Sequence, residues 1–94
     1  MNSIVVNDDL DAVNHILHTK TQNELYLIEL AMYHEKDDIV NYILDYWLNN
    51  NHDTEEAYKH LVLIQDALDY AIDHGYGNYI GIIREVYDHF FEEN

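Results

Sequence analysis

The sequence predicts an all-α fold, a compact domain of five or six helices. Three observations predict it. Proline is absent, and all three glycines (Gly75, Gly77 and Gly81) fall in the last quarter of the chain. A β-sandwich or barrel spends more Gly and Pro on its turns. Apolar residues recur at helical rather than alternating spacing: Ile39, Val40, Ile43, Leu44 and Trp47 form one stripe, with Asp38, Asn41 and Asp45 on the other side. Polar clusters then cut the chain into helix-sized pieces.

In chain order, Asn7 is placed to cap a helix beginning at Asp8, with Asp8 and Asp9 in a first turn where carboxylates complement the helix dipole. A break follows at Lys20-Thr21-Gln22-Asn23. Residues 24–33 are apolar on most faces (Leu25, Leu27, Ile28, Leu30, Ala31, Met32), which predicts a central helix. The cluster His34-Glu35-Lys36-Asp37 ends it, and Asp37–Asp38 open the next. Asn49-Asn50-Asn51-His52 form the following break, after which Asp53 or Thr54 caps a helix beginning near Glu55. Gly75-Tyr76-Gly77-Asn78 separate it from the last helix. The stripes predict a core of Ile28, Ala31, Ile39, Val40, Ile43, Trp47, Leu61, Leu68, Ala71, Ile72, Ile80, Ile83 and Tyr87.

Composition bounds the class. Ninety-four residues make one domain, able to fold alone. Nearly half are apolar (48%) and 13% aromatic, which separates this acidic chain from disordered ones. Cysteine is absent, excluding a disulfide framework and thiolate zinc sites. No apolar run is long enough to span a bilayer, and the start, Met1 to Asp9, lacks the basic and apolar regions of a signal peptide. The expected location is cytoplasmic.

The chain also repeats itself. At a shift of 40, Glu29-Leu30-Ala31-Met32-Tyr33-His34 falls on Asp69-Tyr70-Ala71-Ile72-Asp73-His74, Ile43 on Ile83 and Trp47 on Tyr87. At a shift of 45, Asp11–Leu17 falls on Glu56–Val62. This predicts two degenerate three-helix units, about 7–50 and 52–94, at a period typical of helical repeats. Ala67-Leu68, Ala71, Gly75 and Ile80, with Ile82-Ile83 beyond, resemble the helix–turn–helix of an ankyrin repeat. The first unit keeps Ala31, Ile39-Val40 and Ile43 at the same spacing. It departs from the pattern in lacking the Thr-Pro-Leu-His opening and in placing Glu35 at the turn glycine. The resemblance covers about half the chain and implies a binding surface of helix pairs rather than an activity.

No chemistry of catalysis is legible. The seven histidines include His15 and His18 at i, i+3, but no His-Glu-x-x-His and no pair at i, i+4. They read as helix-end or surface residues, His34 and His74 at helix C-termini. Asn49 to Glu56 alternates oxygen-bearing residues but lacks the glycine and closing glutamate of a calcium loop. The carboxylate pairs Asp8–Asp9, Asp37–Asp38 and Glu55–Glu56 are explained by helix starts. No nucleophile elbow or phosphate loop is present. The expectation is no enzyme, no metal and no cofactor.

What remains is charge. Nineteen acids against four Lys and Arg leave a net charge of −15. Such an excess opposes folding through self-repulsion and speaks about partners. Asp66, Asp69 and Asp73 lie at i, i+3, i+7 on one helix face, and Asp38 and Asp45 form a similar row. Like charges at these spacings cost about a few tenths of a kcal/mol each. An ordinary solvated face alternates signs. Nine tyrosines exceed what a small core buries, with Tyr33, Tyr58, Tyr70 and Tyr76 expected at the surface. Tyr is a favoured interface anchor.

Together these features resemble the immunity proteins of bacterial toxin nucleases, which are small, acidic, cytosolic and often helical, some with ankyrin-type domains. The resemblance implies an inhibitor that fills a basic cleft with carboxylates. The contact residues expected are Asp38, Asp45, Asp66, Asp69 and Asp73, with Tyr70 or Tyr76 as the aromatic anchor. The expected partner is a basic protein, a toxin nuclease, with no direct contact to nucleic acid or membrane, both of which repel this charge. A DNA-mimic anti-defence protein is a close sub-case of this reading, and an ankyrin-like interaction adaptor whose charge only confers solubility is the alternative of another class. Because net repulsion acts within the free chain, its thermal midpoint should rise as sodium chloride goes from low to moderate concentration. A midpoint falling steadily over that range in a calorimetric series contradicts net repulsion.

Overall fold

The all-helical expectation holds. The structure, a computed structural model, describes residues 2–19 and 23–92. Six helices follow one another: α1 (Asn2–Val6), α2 (Leu10–His18), α3 (Glu24–Tyr33), α4 (Asp37–Asn49), α5 (Thr54–Asp73) and α6 (Gly77–Glu92). The chain divides into two compact units, Met1–Ile43 and Leu44–Asn94, with the division falling inside α4. In the first, α1, α2 and α3 contact one another; in the second, α5 packs along α6.

One turn is used three times. α1, α3 and α5 each end at a residue of positive φ: Asp8 (53°), Glu35 (56°) and Gly75 (69°). Around each, the same backbone bonds form. Lys36 N–H donates to Ala31 O at 2.8 Å and Glu35 N–H to Met32 O at 3.1 Å. Tyr76 N–H donates to Ala71 O at 2.9 Å and Gly75 N–H to Ile72 O at 3.1 Å. Asp9 N–H donates to Ile4 O at 3.0 Å and Asp8 N–H to Val5 O at 3.2 Å. This is the Schellman closure, which satisfies carbonyls that a helix end leaves orphaned. The next helix starts at once: the carbonyls of Asp9, Lys36 and Tyr76 accept from Val13, Val40 and Ile80. Asp9 adds a side-chain cap, accepting from Ala12 N–H at 3.1 Å.

The turns set an internal alignment different from part of the predicted one. The shift of 40 carries α3–turn–α4 onto α5–turn–α6, with both closing bonds of the turn matched. The α1–α2 turn pairs with the α3–α4 turn, which sets Asp11-Ala12-Val13-Asn14-His15-Ile16-Leu17 on Asp38-Ile39-Val40-Asn41-Tyr42-Ile43-Leu44. Val13 and Leu17 are buried, and so are their counterparts Val40 and Leu44. The predicted counterpart at a shift of 45, Glu56–Val62, instead belongs to α5, which runs unbroken over its 20 residues. Among the described residues, 52–92 therefore carry two helices, not three. No Gly or Pro interrupts α5.

Two polar links tie the first unit together. Lys36 Nζ reaches Asp8 Oδ2 at 3.2 Å, joining two of the turns. Both side chains are partly solvated, so the pair contributes at most about 1 kcal/mol. Tyr42 donates its hydroxyl to Asn14 Oδ1 at 2.7 Å. In the second unit the three asparagines after Tyr46 close α4. Asn49, Asn50 and Asn51 donate side-chain amides to the carbonyls of Asp45, Tyr46 and Trp47 at 2.9–3.0 Å. Asn51 Oδ1 then accepts from Nδ1 of the buried His60 at 2.8 Å. The polar run read as a break is thus a cap that also anchors α5.

Of the predicted core, Ile28, Ala31, Ile39, Val40, Ile43, Trp47, Ala71 and Ile83 are buried. Leu61, Leu68, Ile80 and Tyr87 are half-buried. Ile72 is a correction: it is 47% exposed. It sits about 100° round the helix from Ala71, and the inward stripe of α5 is His60, Ile64, Ala67 and Ala71. The cap assigned to Asn7 is also corrected, since Asp9 caps α2 and a short helix α1 precedes it. Asp53 caps α5, accepting from Glu56 N–H at 2.7 Å. Of the break at 20–23, only Asn23 lies within the described residues, immediately before α3.

Two predictions follow from burial and from the turn. Ile43→Ala removes a fully buried side chain and should cost roughly 2–5 kcal/mol; an unchanged midpoint in chemical denaturation contradicts the assigned helix phase. At the turns, Glu35→Gly should stabilise and Gly75→Ala destabilise, each by about 1 kcal/mol. A Cβ at Gly75 meets nothing within 4 Å, so backbone strain alone sets the latter cost. Denaturation midpoints that move together, rather than oppositely, would reject the shared turn.

Candidate functional site

The outer face of α5 carries the predicted acidic row. Successive residues advance about 100° round a helix, so Asp66, Asp69 and Asp73 share one side, and all three are exposed. α5 bears five carboxylates and one lysine, so the row has little to relieve it. Asp38 and Asp45 are also exposed, on α4, two turns apart.

At the C-terminal end of α5 the aromatic anchors gather. The Tyr70 and His74 rings stack with centroids 4.1 Å apart, and His74 stacks in turn on Tyr76 at 5.5 Å. Tyr70 and Tyr76 lie 6.1 Å apart, tilted. Tyr79, buried, meets Tyr76 edge-on at 6.3 Å and forms the floor. The turn makes this possible. The left-handed Gly75 reverses the chain so that Tyr76 returns over the last turn of α5. His74 is held by its Nδ1–H, which donates to Tyr70 O at 3.0 Å. That bond fixes the ring on the helix end.

The structure thus brings Tyr70 and Tyr76 together and sets them at the end of the row Asp66, Asp69, Asp73. Both rings are half-buried, with part of each open to solvent. Tyr33 and Tyr58, also expected outside, are 64% and 69% exposed. Sequence reasoning missed the role of His74 as the middle layer of the stack, although its spacing to Tyr70 (i, i+4) carried the signal. It also missed Tyr26 and Phe91, exposed by 53% and 54%.

Chemically, this face offers carboxylate oxygens to accept hydrogen bonds from cationic donors, and ring faces on which a guanidinium can stack. Among the described residues, no group of three or more His, Asp or Glu side chains is placed to hold a metal ion. No described helix is long and apolar enough to cross a membrane. No protein-family model, curated protein or solved structure matches the chain.

Proposed function

We propose that this chain is an acidic protein inhibitor that binds and neutralises a basic, nucleic-acid-acting enzyme, most simply an immunity protein against a toxin nuclease in the cytoplasm. The observation that carries the reading is the outer face of α5, where three exposed carboxylates run up to a Tyr–His–Tyr stack. A nuclease cleft presents Lys and Arg to hold phosphates. Carboxylates at helical spacing occupy the same donors and exclude substrate. Opposite fields speed encounter, and aromatic anchors slow release. The inhibitor itself performs no reaction in this reading and needs no cofactor.

A second reading, a helical interaction adaptor, is favoured by the recurrence of the helix–turn–helix with its left-handed residue, which supports a repeat-like module. Ionic strength separates the two, since a charge-driven complex weakens steeply with salt and an apolar one does not.

The test is co-expression with a nuclease toxin encoded in a neighbouring reading frame, followed by association kinetics at two salt concentrations. The wild-type chain should restore growth. Replacing Asp66, Asp69 and Asp73 together by Asn keeps shape while removing three charges. Association should slow by about tenfold or more at low salt, and its salt dependence should flatten. Identical rates for wild type and triple variant at both salt concentrations remove this face from the interface. A partner without a basic patch overturns the inhibitor reading itself.

A further inference from the structure

A second feature of α5 lies outside the acidic row. Its first turns and the end of α6 line a shallow, open groove of about 460 Å³. Ala57, Leu61 and Phe90 supply apolar lining, and Tyr58 stands at the edge, 69% exposed. Val62, one turn beyond Tyr58, is 36% exposed. Tyr58 and Val62 lie on the otherwise polar side of α5, where burial in the free protein does not account for them.

We infer that this groove seats an apolar side chain of a cationic segment of the partner, so that one partner surface lies along α5. The inference rests on the reading that the partner is a basic protein. Three observations select this occupant. The mouth of the groove is negative: Asp53 lines it, its carboxylate already accepts from Glu56 N–H at 2.7 Å, and Glu55 is exposed in the same turn. The start of α5 is therefore occupied by the chain's own anion and refuses an anionic ligand. A second copy of the chain is disfavoured by its net charge of −15, which sets like fields face to face. Finally, Tyr58, Val62, Asp66, Asp69 and Asp73 follow one another at i, i+4, i+8, i+11 and i+15 and share one face. At about 1.5 Å per residue, the carboxylates begin about 12 Å from Tyr58 and end about 22 Å from it. The occupant is thus a segment with an apolar anchor at one end and Lys or Arg about 12–22 Å away.

The experiment titrates the ¹⁵N-labelled full chain, at low salt, with two synthetic helical peptides. One carries a leucine cluster followed, 8–15 residues on, by lysines; the other replaces the leucines by serine and keeps the lysines. The leucine peptide should shift the amides of Thr54 to Leu61 and of Phe90, and bind about tenfold or more tightly than the serine peptide. Tyr58→Ala should remove about tenfold from the leucine peptide alone; the side chain is exposed, so the variant folds. Equal affinities for both peptides, or shifts confined to the region of Asp66 to Asp73, overturn the groove and leave the inhibitor reading standing. Equal binding of a leucine peptide with glutamates in place of lysines overturns the cationic occupant. Groove amides that move with protein concentration alone assign the groove to a second copy. If neither lysine peptide binds, the basic-partner reading fails along with the groove.

Discussion

The left-handed residue that closes α1, α3 and α5 is the constraint on which the rest depends. Asp8, Glu35 and Gly75 each reverse the chain within three residues, and each leaves the next helix already begun. Because the link is so short, it sets the rotational phase of the following helix. Val13 and Leu17 turn inward in α2 for the same reason that Val40 and Leu44 do in α4. Gly adopts this conformation without steric cost, Asp with little, and Glu with more. The same geometry is therefore built from three residue types, and the helices around it supply the closing hydrogen bonds in every case.

Much of the fold was legible before the structure. The apolar stripe of α4 and the cap at Asp53 rest on local chemistry, periodicity and a short polar side chain at a helix start, and local chemistry is what sequence carries best. The failures are of a different kind. Ile72 looked like core because it is apolar and lies beside Ala71, yet one residue is enough to rotate it outward. The extra helix ascribed to residues 52–94 came from a match between α2 and part of α5 that similar compositions produce. The Asn49–Asn51 run was read as a break, when its amides bond back to the helix they follow. Polarity alone does not separate a loop from a cap; the i−4 carbonyls do.

The candidate site was legible in its charge and less so in its shape. The row Asp66, Asp69, Asp73 follows from helical spacing, and the structure keeps it exposed on a single helix. The stack of Tyr70, His74 and Tyr76 depends on the reversal at Gly75, which spacing alone does not draw. The groove beside Tyr58 depends on Phe90, more than 25 residues away along the chain, and so on tertiary packing. With no matching family to lend a mechanism, function rests on what this face offers to another molecule: oxygens, ring faces and an apolar recess along one helix.

The buried Trp47 has a spectroscopic consequence. It is the chain's single tryptophan, is fully removed from solvent, and its indole Nε1–H finds no hydrogen-bond partner among the described residues. Indole emission moves to shorter wavelength in apolar surroundings and to longer wavelength in water. Selective excitation of this ring against the background of nine tyrosines therefore watches the interior around α4 alone. Binding at the surface of α5 leaves that colour unchanged, whereas opening of the core reddens it, so one fluorophore separates docking from unfolding in the same cuvette.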